Sequence, residues 1–181
     1  MQYYKNCCEF TVTNGEVTSC KKISRKKFFG KKMIHKNQNS NVNYHTPTYG
    51  WGVDGSTLKP NPGISEYRCV DLSTKEIIFN TKIGIATNNI AEFLAIIQAL
   101  IVSDGMGKIV NIFSDSQTAI AWTRKMNYNT NMIRNEDSEY LFEMMDEGIE
   151  WLKKNHKKMN SIVFWNTRLW GQIPADFGRA H

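Results

Sequence analysis

The sequence has few cysteines and no long apolar run, and each shortage excludes a class of protein. Its four cysteines, at positions 7, 8, 20 and 69, lack the spacing of a disulfide scaffold or a common zinc knuckle. The longest apolar stretch, residues 91–102, is interrupted by Glu92 and Gln98 and is too short to cross a bilayer. The first ten residues lack the apolar core of a secretory signal. We therefore expect a cytoplasmic protein with no membrane partner. We also expect it to be a monomer.

Positive charge is concentrated at the N-terminus. Residues 1–46 carry a balance of +7, whereas the rest of the chain carries −1. The basic residues of this segment are Lys5, Lys21, Lys22, Arg25, Lys26, Lys27, Lys31, Lys32 and Lys36. Phe28 and Phe29 lie within the basic run, so attraction to phosphates and stacking on bases can act together. A solvated tail is the alternative, but the pattern favours a basic extension that contacts nucleic acid.

Two features divide this extension from the rest of the chain. Residues 9–20 alternate in polarity around Asn14-Gly15, a pair that favours the type I′ turn of a two-residue β-hairpin. Residues 36–47 are polar and read as a flexible linker. We predict a domain boundary near Pro47, with the extension over residues 1–46 and a catalytic domain over residues 47–181.

The second segment alternates between strand and helix patterns. Three apolar strand patterns come first, and a short polar turn between the second and third predicts an antiparallel meander. Helix patterns at residues 88–104, 116–126 and 139–155 then flank strands near residues 108–115 and 161–165. Leu141, Met145, Ile149 and Leu152 form one apolar stripe. A last short helix is predicted to begin near Pro174, because proline suits a first helical turn. The order predicts an α/β fold with a mixed sheet covered by helices.

Four carboxylates lie where these elements meet. Asp54 belongs to the first strand, Glu92 to the opening turns of the first helix, Asp115 to the end of the fourth strand, and Asp176 to the C-terminal region. Converging carboxylates repel one another unless divalent cations neutralise them. Taken singly, each has an ordinary explanation in a turn, a helix cap or a solvated end. Taken together, they predict a hard-metal site and a two-metal phosphodiester hydrolase.

The sequence around these residues resembles that of type 1 ribonuclease H. The matching blocks are DGS followed by Asn61-Pro62-Gly63, TNNIAE at residues 87–92, SDSQ at residues 114–117, and a final Asp after a strand that ends in Trp. The order and spacing of the blocks, over residues 48–180, make this a specific signal. NNIAEFLAI, SDSQTAIAW and WGQIPADFGR look closest to the Bacteroides-type branch. The resemblance implies a ribonuclease H-like fold, with a five-stranded sheet of three antiparallel strands followed by parallel strands.

The same resemblance implies an activity and a set of site residues. The expected reaction is cleavage of the RNA strand of an RNA/DNA hybrid with two Mg²⁺ ions, or Mn²⁺ as a substitute, leaving 5′-phosphate and 3′-hydroxyl ends. The implied catalytic metal ligands are Asp54, Glu92, Asp115 and Asp176. The implied substrate contacts are Asn61, Asn88, Asn89 and Gln117 at sugar hydroxyls or base edges, and Thr87 at a phosphate of the DNA strand.

Two features depart from the family pattern. Many members carry a histidine in the loop before the last Asp, but NTRLWGQIPA contains none, and Arg168 and His181 are weak substitutes. Many members also insert a basic handle after the SDSQ helix, where this chain offers only Arg124, Lys125 and Arg134. We expect the basic extension to compensate for the missing handle.

Two other functions remain open on the sequence alone. One is a non-catalytic protein on the same fold that binds hybrids or RNA, although four retained carboxylates argue against it. The other is a DNA-cleaving nuclease of the resolvase or transposase kind, which shares this architecture. The TNN and SDSQ blocks favour hybrid cleavage over DNA cleavage.

Overall fold

The computed structural model describes residues 45–178 and, for the backbone alone, residues 2–5, 8–13 and 16–22. Contacts within the chain divide it into two units, Met1–Val42 and Asn43–His181. The boundary near Pro47 stays a prediction. So does the linker over residues 36–47, most of which lies outside the described residues.

Three antiparallel strands make up the described part of the first unit. They are β1 (Gln2–Lys5), β2 (Cys8–Thr13) and β3 (Glu16–Lys22), in the order β1-β2-β3. Thr13 pairs with Glu16, so two residues connect β2 to β3, the spacing of a tight hairpin. The type I′ prediction falls on Asn14 and Gly15, which lie outside the described residues.

A mixed five-stranded sheet forms the centre of the second unit. Its strands are β4 (Trp51–Thr57), β5 (Gly63–Asp71), β6 (Ile77–Ala86), β7 (Ile112–Ser114) and β8 (Ile162–Phe164), in the order β6-β5-β4-β7-β8. The pairs β4–β5 and β5–β6 are antiparallel, whereas β4–β7 and β7–β8 are parallel. The predicted fold, three antiparallel strands followed by parallel strands, is confirmed.

Helices follow and connect the strands. They are α1 (Asn88–Gly105), α2 (Gln117–Lys125), α3 (Glu139–Lys154), a 3₁₀ helix (His156–Ser161) and α4 (Thr167–Trp170). The predicted apolar stripe of α3 is buried in the core at all of its positions: Leu141, Met145, Ile149 and Leu152. No helix in the described parts of the chain is both long enough and apolar enough to cross a membrane.

The two faces of β4 pack against two different clusters of buried residues. Trp51 and Val53 belong to the main core, to which α1 also contributes its apolar face. Successive side chains of a strand point to opposite faces, so Gly52 and Asp54 face the other side. On that side Leu72 and Ile173 lie beside Gly52, in a second cluster with Phe113 and Trp165. The C-terminal segment therefore packs on the face of β4 that carries Asp54.

The prediction of a helix beginning near Pro174 is wrong. The short helix lies earlier, at Thr167–Trp170, where the Asn166 side chain caps its first turn by accepting from the Arg168 N–H. Pro174 and Ala175 form a turn, and residues 176–178 are neither helix nor strand. Proline suits both a first helical turn and a β-turn. Here it lies in a β-turn, because the Asp176 N–H donates to the Ile173 carbonyl at 2.8 Å.

Candidate active site

Asp54 and Asp115 meet because their strands are neighbours. Asp54 lies within β4, and Asp115 directly follows β7, which pairs with β4 in parallel. Asp115 is followed by Ser116, whose hydroxyl caps α2 by accepting the Ala119 N–H at 3.2 Å. Ligand sites in α/β sheets favour the carboxyl ends of parallel strands; Asp115 lies at that end of β7, and Asp54 lies on the neighbouring strand β4.

Glu92 reaches the same place because α1 lies unusually close to the sheet. A side chain at Gly55 would place its Cβ 2.3 Å from the Glu92 main-chain nitrogen and 2.5 Å from the Ala91 carbonyl carbon. Only glycine therefore allows this approach without a shift of the helix or the strand. Thr87 fixes the start of α1, since its side chain accepts from the Ile90 N–H.

Three carboxylates form a compact cluster as a result. One oxygen from each of Asp54, Glu92 and Asp115 lies within 4.8 Å of the others. Asp54 is buried, and Glu92 and Asp115 are half-buried. Asn88 donates from its side-chain nitrogen to Glu92 at 2.9 Å, and the Ser116 hydroxyl also bonds Glu92. Oxygen ligands from separate elements, held by neighbouring donors, are the arrangement that hard divalent cations require.

Asp176 approaches this cluster from the C-terminal segment. Asp176 is half-buried and close enough to Asp54 to raise the pKa of Asp54. The next residue, Phe177, donates its main-chain N–H to Asp54. The Gly178 N–H donates to the Asp176 carboxylate at 2.9 Å. The structure thus brings all four predicted carboxylates to one region.

The electrostatics of the cluster are those of a site that binds cations. Burial, followed by repulsion from Asp115, Glu92 and Asp176, raises the pKa of Asp54 to about 8. Burial also raises the pKa of Glu92 to about 7, with a contribution from Asp115 and opposing hydrogen bonds from Ser116 and Asn88. Both carboxylates are hard to ionise by themselves, and positive charge placed among them would relieve the repulsion. The residues present therefore fit divalent cations.

The predicted substrate contacts lie around this cluster. Asn61, Asn89 and Gln117 are exposed, whereas Thr87 and Asn88 are half-buried. The Asn61 side-chain oxygen accepts the Asn88 N–H at 3.3 Å, which joins the loop after β4 to the start of α1. Gln117 is the first residue of α2, two positions after Asp115. All five positions thus belong to segments that adjoin the carboxylates, and their role in binding stays a prediction.

The residues that could replace the absent histidine and the absent basic handle are less well placed than the predicted substrate contacts. Arg134 donates to Glu139 at 2.9 Å and to Asp146 at 2.8 Å, so its charge is engaged within the protein. Arg124 donates to the Ile162 carbonyl at 3.4 Å, and Lys125 is exposed in the last turn of α2. Arg168 is exposed on α4, and His181 lies outside the described residues.

Arg68 is a residue of this site that sequence reasoning missed. It lies on β5 directly opposite Asp54 and bonds main-chain carbonyls of the C-terminal segment. A signal was present, because a charged residue stands between Tyr67 and Cys69, both of which are buried in the main core. Strand alternation then puts Arg68 on the same face as Asp54.

Comparison with known proteins places the chain in a sequence family. Residues 48–177 match the family described as RNase H, and this match covers most of the second unit and includes all four carboxylates. Among similar solved structures is RNase H1 of the halophilic archaeon Halobacterium salinarum, which is 21% identical, with 69% of this chain and 90% of that one covered and a TM-score of 0.41. The N-terminal RNase H domain of Rv2228c from Mycobacterium tuberculosis is 18% identical, with 66% and 89% covered and a TM-score of 0.38.

A third similar structure contains nucleic acid. LC11-RNase H1, which was isolated from compost by a metagenomic approach, was solved in complex with an RNA/DNA hybrid. It is 20% identical, with 64% of this chain and 81% of that one covered and a TM-score of 0.40. The family assignment itself rests on the sequence match over residues 48–177.

Proposed function

The chain belongs to the ribonuclease H family and is an enzyme of that class, and we propose that it hydrolyses the RNA strand of RNA/DNA hybrids with two divalent cations. The observation that carries the proposal is the convergence of Asp54, Glu92 and Asp115 within 4.8 Å, inside the region that matches the family. The proposed products have 5′-phosphate and 3′-hydroxyl ends. The NNIAEFLAI, SDSQTAIAW and WGQIPADFGR blocks support a type 1 enzyme of the Bacteroides-type branch.

The carboxylates have different proposed roles. Asp54, on the central strand, would contact both cations, with Glu92 and Asp115 completing one site and Asp176 sharing the other. Mg²⁺ is the proposed cation, with Mn²⁺ as a substitute, because all four ligands are hard oxygen donors. When bound, such cations activate an attacking water and stabilise the departing 3′ oxygen. The protein holds the ligands in place, since Asn88 and Ser116 bond Glu92 and the Phe177 N–H bonds Asp54.

The neutral polar residues beside the carboxylates are the proposed readers of the hybrid. Asn61, Asn88, Asn89 and Gln117 carry amides, which both donate to and accept from a hydroxyl. This chemistry suits the 2′-hydroxyl groups that distinguish RNA from DNA in the minor groove. Thr87 is the proposed contact to a phosphate of the DNA strand. Asn89 and Gln117 have the exposure that such contacts require.

The basic extension is the proposed second grip on the substrate. Its net charge of +7 over residues 1–46 supports contact with phosphates. Separately, the protein is proposed to act as a cytoplasmic monomer. Replacing Lys26, Lys27, Lys31 and Lys32 together by Gln in the full chain tests the grip. We expect weaker hybrid binding and a shallower dependence of log affinity on log salt, by about one unit for each phosphate that the variant no longer neutralises. An unchanged salt slope would contradict this role.

A substrate panel tests the proposed reaction. The full chain is incubated with a labelled RNA/DNA hybrid, duplex DNA, duplex RNA or single-stranded RNA, with Mg²⁺, Mn²⁺ or EDTA. We expect metal-dependent cutting of the RNA strand of the hybrid alone, with 5′-phosphate ends that a phosphatase removes. Cutting of duplex DNA would instead support a resolvase-like nuclease. Tight hybrid binding without cutting under either metal would support a binding protein.

A further inference from the structure

The segment that carries Asp176 has little regular structure to hold it. Residues 171–178 contain only the turn at Pro174 and Ala175. Ile173 packs in the second cluster and fixes one end of the segment. The other end must bring a carboxylate toward Asp54, which lies on the central strand of the sheet.

Arg68 holds that second end. Its Nε donates to the Ala175 carbonyl at 2.6 Å, and a terminal guanidinium nitrogen donates to the Asp176 carbonyl. The guanidinium carbon lies 4.3 Å from the centre of the Phe177 ring, so the cation stacks on the aromatic face. One side chain therefore contacts three consecutive residues that lie more than 100 positions away in the sequence.

The register of the sheet puts Arg68 in the right place. Arg68 pairs with Asp54 across β4 and β5, and directly paired residues have their side chains on the same face. The segment at residues 175–177 crosses this face, so the same strand pair positions Asp54 directly and Asp176 through Arg68. Both hydrogen bonds described for Arg68 go to main-chain oxygens and leave the Asp176 carboxylate available to a cation.

The chemistry of these contacts requires arginine. A guanidinium presents a planar fork of donors that reaches two adjacent carbonyls and stacks on a ring at the same time. A lysine ammonium is a compact point charge and cannot make all three contacts in one geometry. Charge-assisted hydrogen bonds are also roughly twice as strong as neutral ones, which suits a residue that must fix a loop.

We propose that Arg68 is a positioning residue that clamps Ala175–Phe177 onto the sheet and thereby sets the distance between the Asp176 and Asp54 carboxylates. The proposal rests on the proposed function, because the distance matters for holding divalent cations. Arg68 touches neither substrate nor cation in this role. Its removal is expected to weaken cation binding by moving one ligand, with the other three carboxylates left in place.

Manganese binding to the full chain without nucleic acid tests the clamp. Mn²⁺ titrations, followed by calorimetry or by electron paramagnetic resonance, compare the native protein with Arg68→Gln and Arg68→Lys. We expect about 10–100-fold weaker Mn²⁺ binding for Arg68→Gln, as for other residues that orient metal ligands, and an intermediate loss for Arg68→Lys. Arg124→Gln is the matched control, because this guanidinium also donates to a main-chain carbonyl, that of Ile162, but on another part of the sheet. Its Mn²⁺ affinity should equal that of the native protein.

A double-mutant cycle separates positioning from general structural support. In an Asp176→Asn background the clamp has no ligand to place, so Arg68→Gln should cost little further Mn²⁺ affinity. Native Mn²⁺ affinity in a folded Arg68→Gln or Arg68→Lys variant would overturn the proposal, and so would an equal loss in both backgrounds. Thermal unfolding establishes that each variant is folded, and Arg68→Lys keeps the test valid if Arg68→Gln does not fold. If the native protein binds Mn²⁺ but cuts no hybrid, the proposed function fails while the cycle still decides the role of Arg68.

Discussion

The four carboxylates are held in two different ways. Asp54 lies within β4, Glu92 on α1 and Asp115 at the junction of β7 and α2, so their positions follow from the packing of regular elements. Asp176 lies on a segment that is neither helix nor strand and depends on contacts from other parts of the chain. Regular elements, the framework, thus hold three of the proposed ligands, and an attached segment holds the fourth. Damage to the framework and damage to the segment should have different effects.

Substitution of the ligands themselves should give the largest effects. Asp54→Asn removes the ligand shared by both proposed cation sites, and we expect hybrid cleavage to fall by at least about 10²–10³-fold. Asp176→Asn removes a ligand of one site, and its loss should be smaller. In EDTA, neither variant should unfold at a lower temperature than the native protein, because each substitution relieves repulsion among carboxylates. A greater loss in Asp176→Asn than in Asp54→Asn would reverse the proposed roles.

Gly55→Ala should damage the framework alone. Its Cβ would lie 2.3 Å from the Glu92 nitrogen, a main-chain atom that cannot move without α1. We expect a loss of about 1–3 kcal/mol in the free energy of unfolding, as for other overpacked sites, together with weaker Mn²⁺ binding because Glu92 is displaced.

Gly105→Ala is the matched control for this prediction. Gly105 is the last residue of the same helix, and a Cβ there would meet nothing within 4 Å. This variant should be as stable as the native protein or slightly more stable, because alanine restricts the unfolded chain. Equal stability of Gly55→Ala and Gly105→Ala in urea unfolding would rule out the close approach of α1 to β4.

The pH dependence of stability should report on the cluster as a whole. The pKa values of Asp54 and Glu92 are raised to about 8 and about 7 in the folded protein, so it binds protons that the unfolded chain has released. In EDTA, the unfolding temperature should therefore fall as the pH rises from about 5 to about 8. Saturating Mg²⁺ should reduce this fall, because the cations stabilise the ionised carboxylates.

Asp54→Asn provides the control for the pH experiment. It removes the carboxyl with the most raised pKa and one source of repulsion, so the fall in EDTA should become shallower. Carboxyls whose pKa is lowered, such as those of Asp71 and Asp146, titrate below this window and add no slope of their own. Stability that rises from pH 5 to pH 8 in EDTA would contradict the electrostatic description.

Gln117→Ala should give the smallest effect, confined to the substrate. Gln117 is exposed at the start of α2, so its loss should leave the unfolding temperature unchanged. One hydrogen bond fewer to the hybrid corresponds to about 0.5–1.5 kcal/mol, or a rise of roughly 2–10-fold in KM. Thr118→Ala, at the exposed neighbouring position, is the control. An equal KM for both variants would remove Gln117 from the proposed hybrid contacts.

The framework was more predictable from the sequence than the attached segment. Strand alternation and the helical stripe predicted the separate elements and a mixed sheet, since local patterns determine such elements. The resemblance carried by the TNNIAE and SDSQ blocks implied the five-stranded arrangement and the meeting of Asp54, Glu92 and Asp115. The prediction of a helix from Pro174 was wrong because proline is compatible with both a turn and a helix start. The contacts of Arg68 with residues 175–177 could not be predicted, because they join distant parts of the chain and leave no local pattern.

The most direct test of the account is the single-turnover rate of hybrid cleavage against Mg²⁺ concentration, for the native protein and Asp115→Asn. We predict no cleavage in EDTA, a rate that rises more steeply than first order in Mg²⁺ because two cations are required, and almost no cleavage by Asp115→Asn at any concentration. Cleavage of the RNA strand that persists in EDTA, or that Asp115→Asn leaves intact, would contradict a metal-dependent site built on these carboxylates.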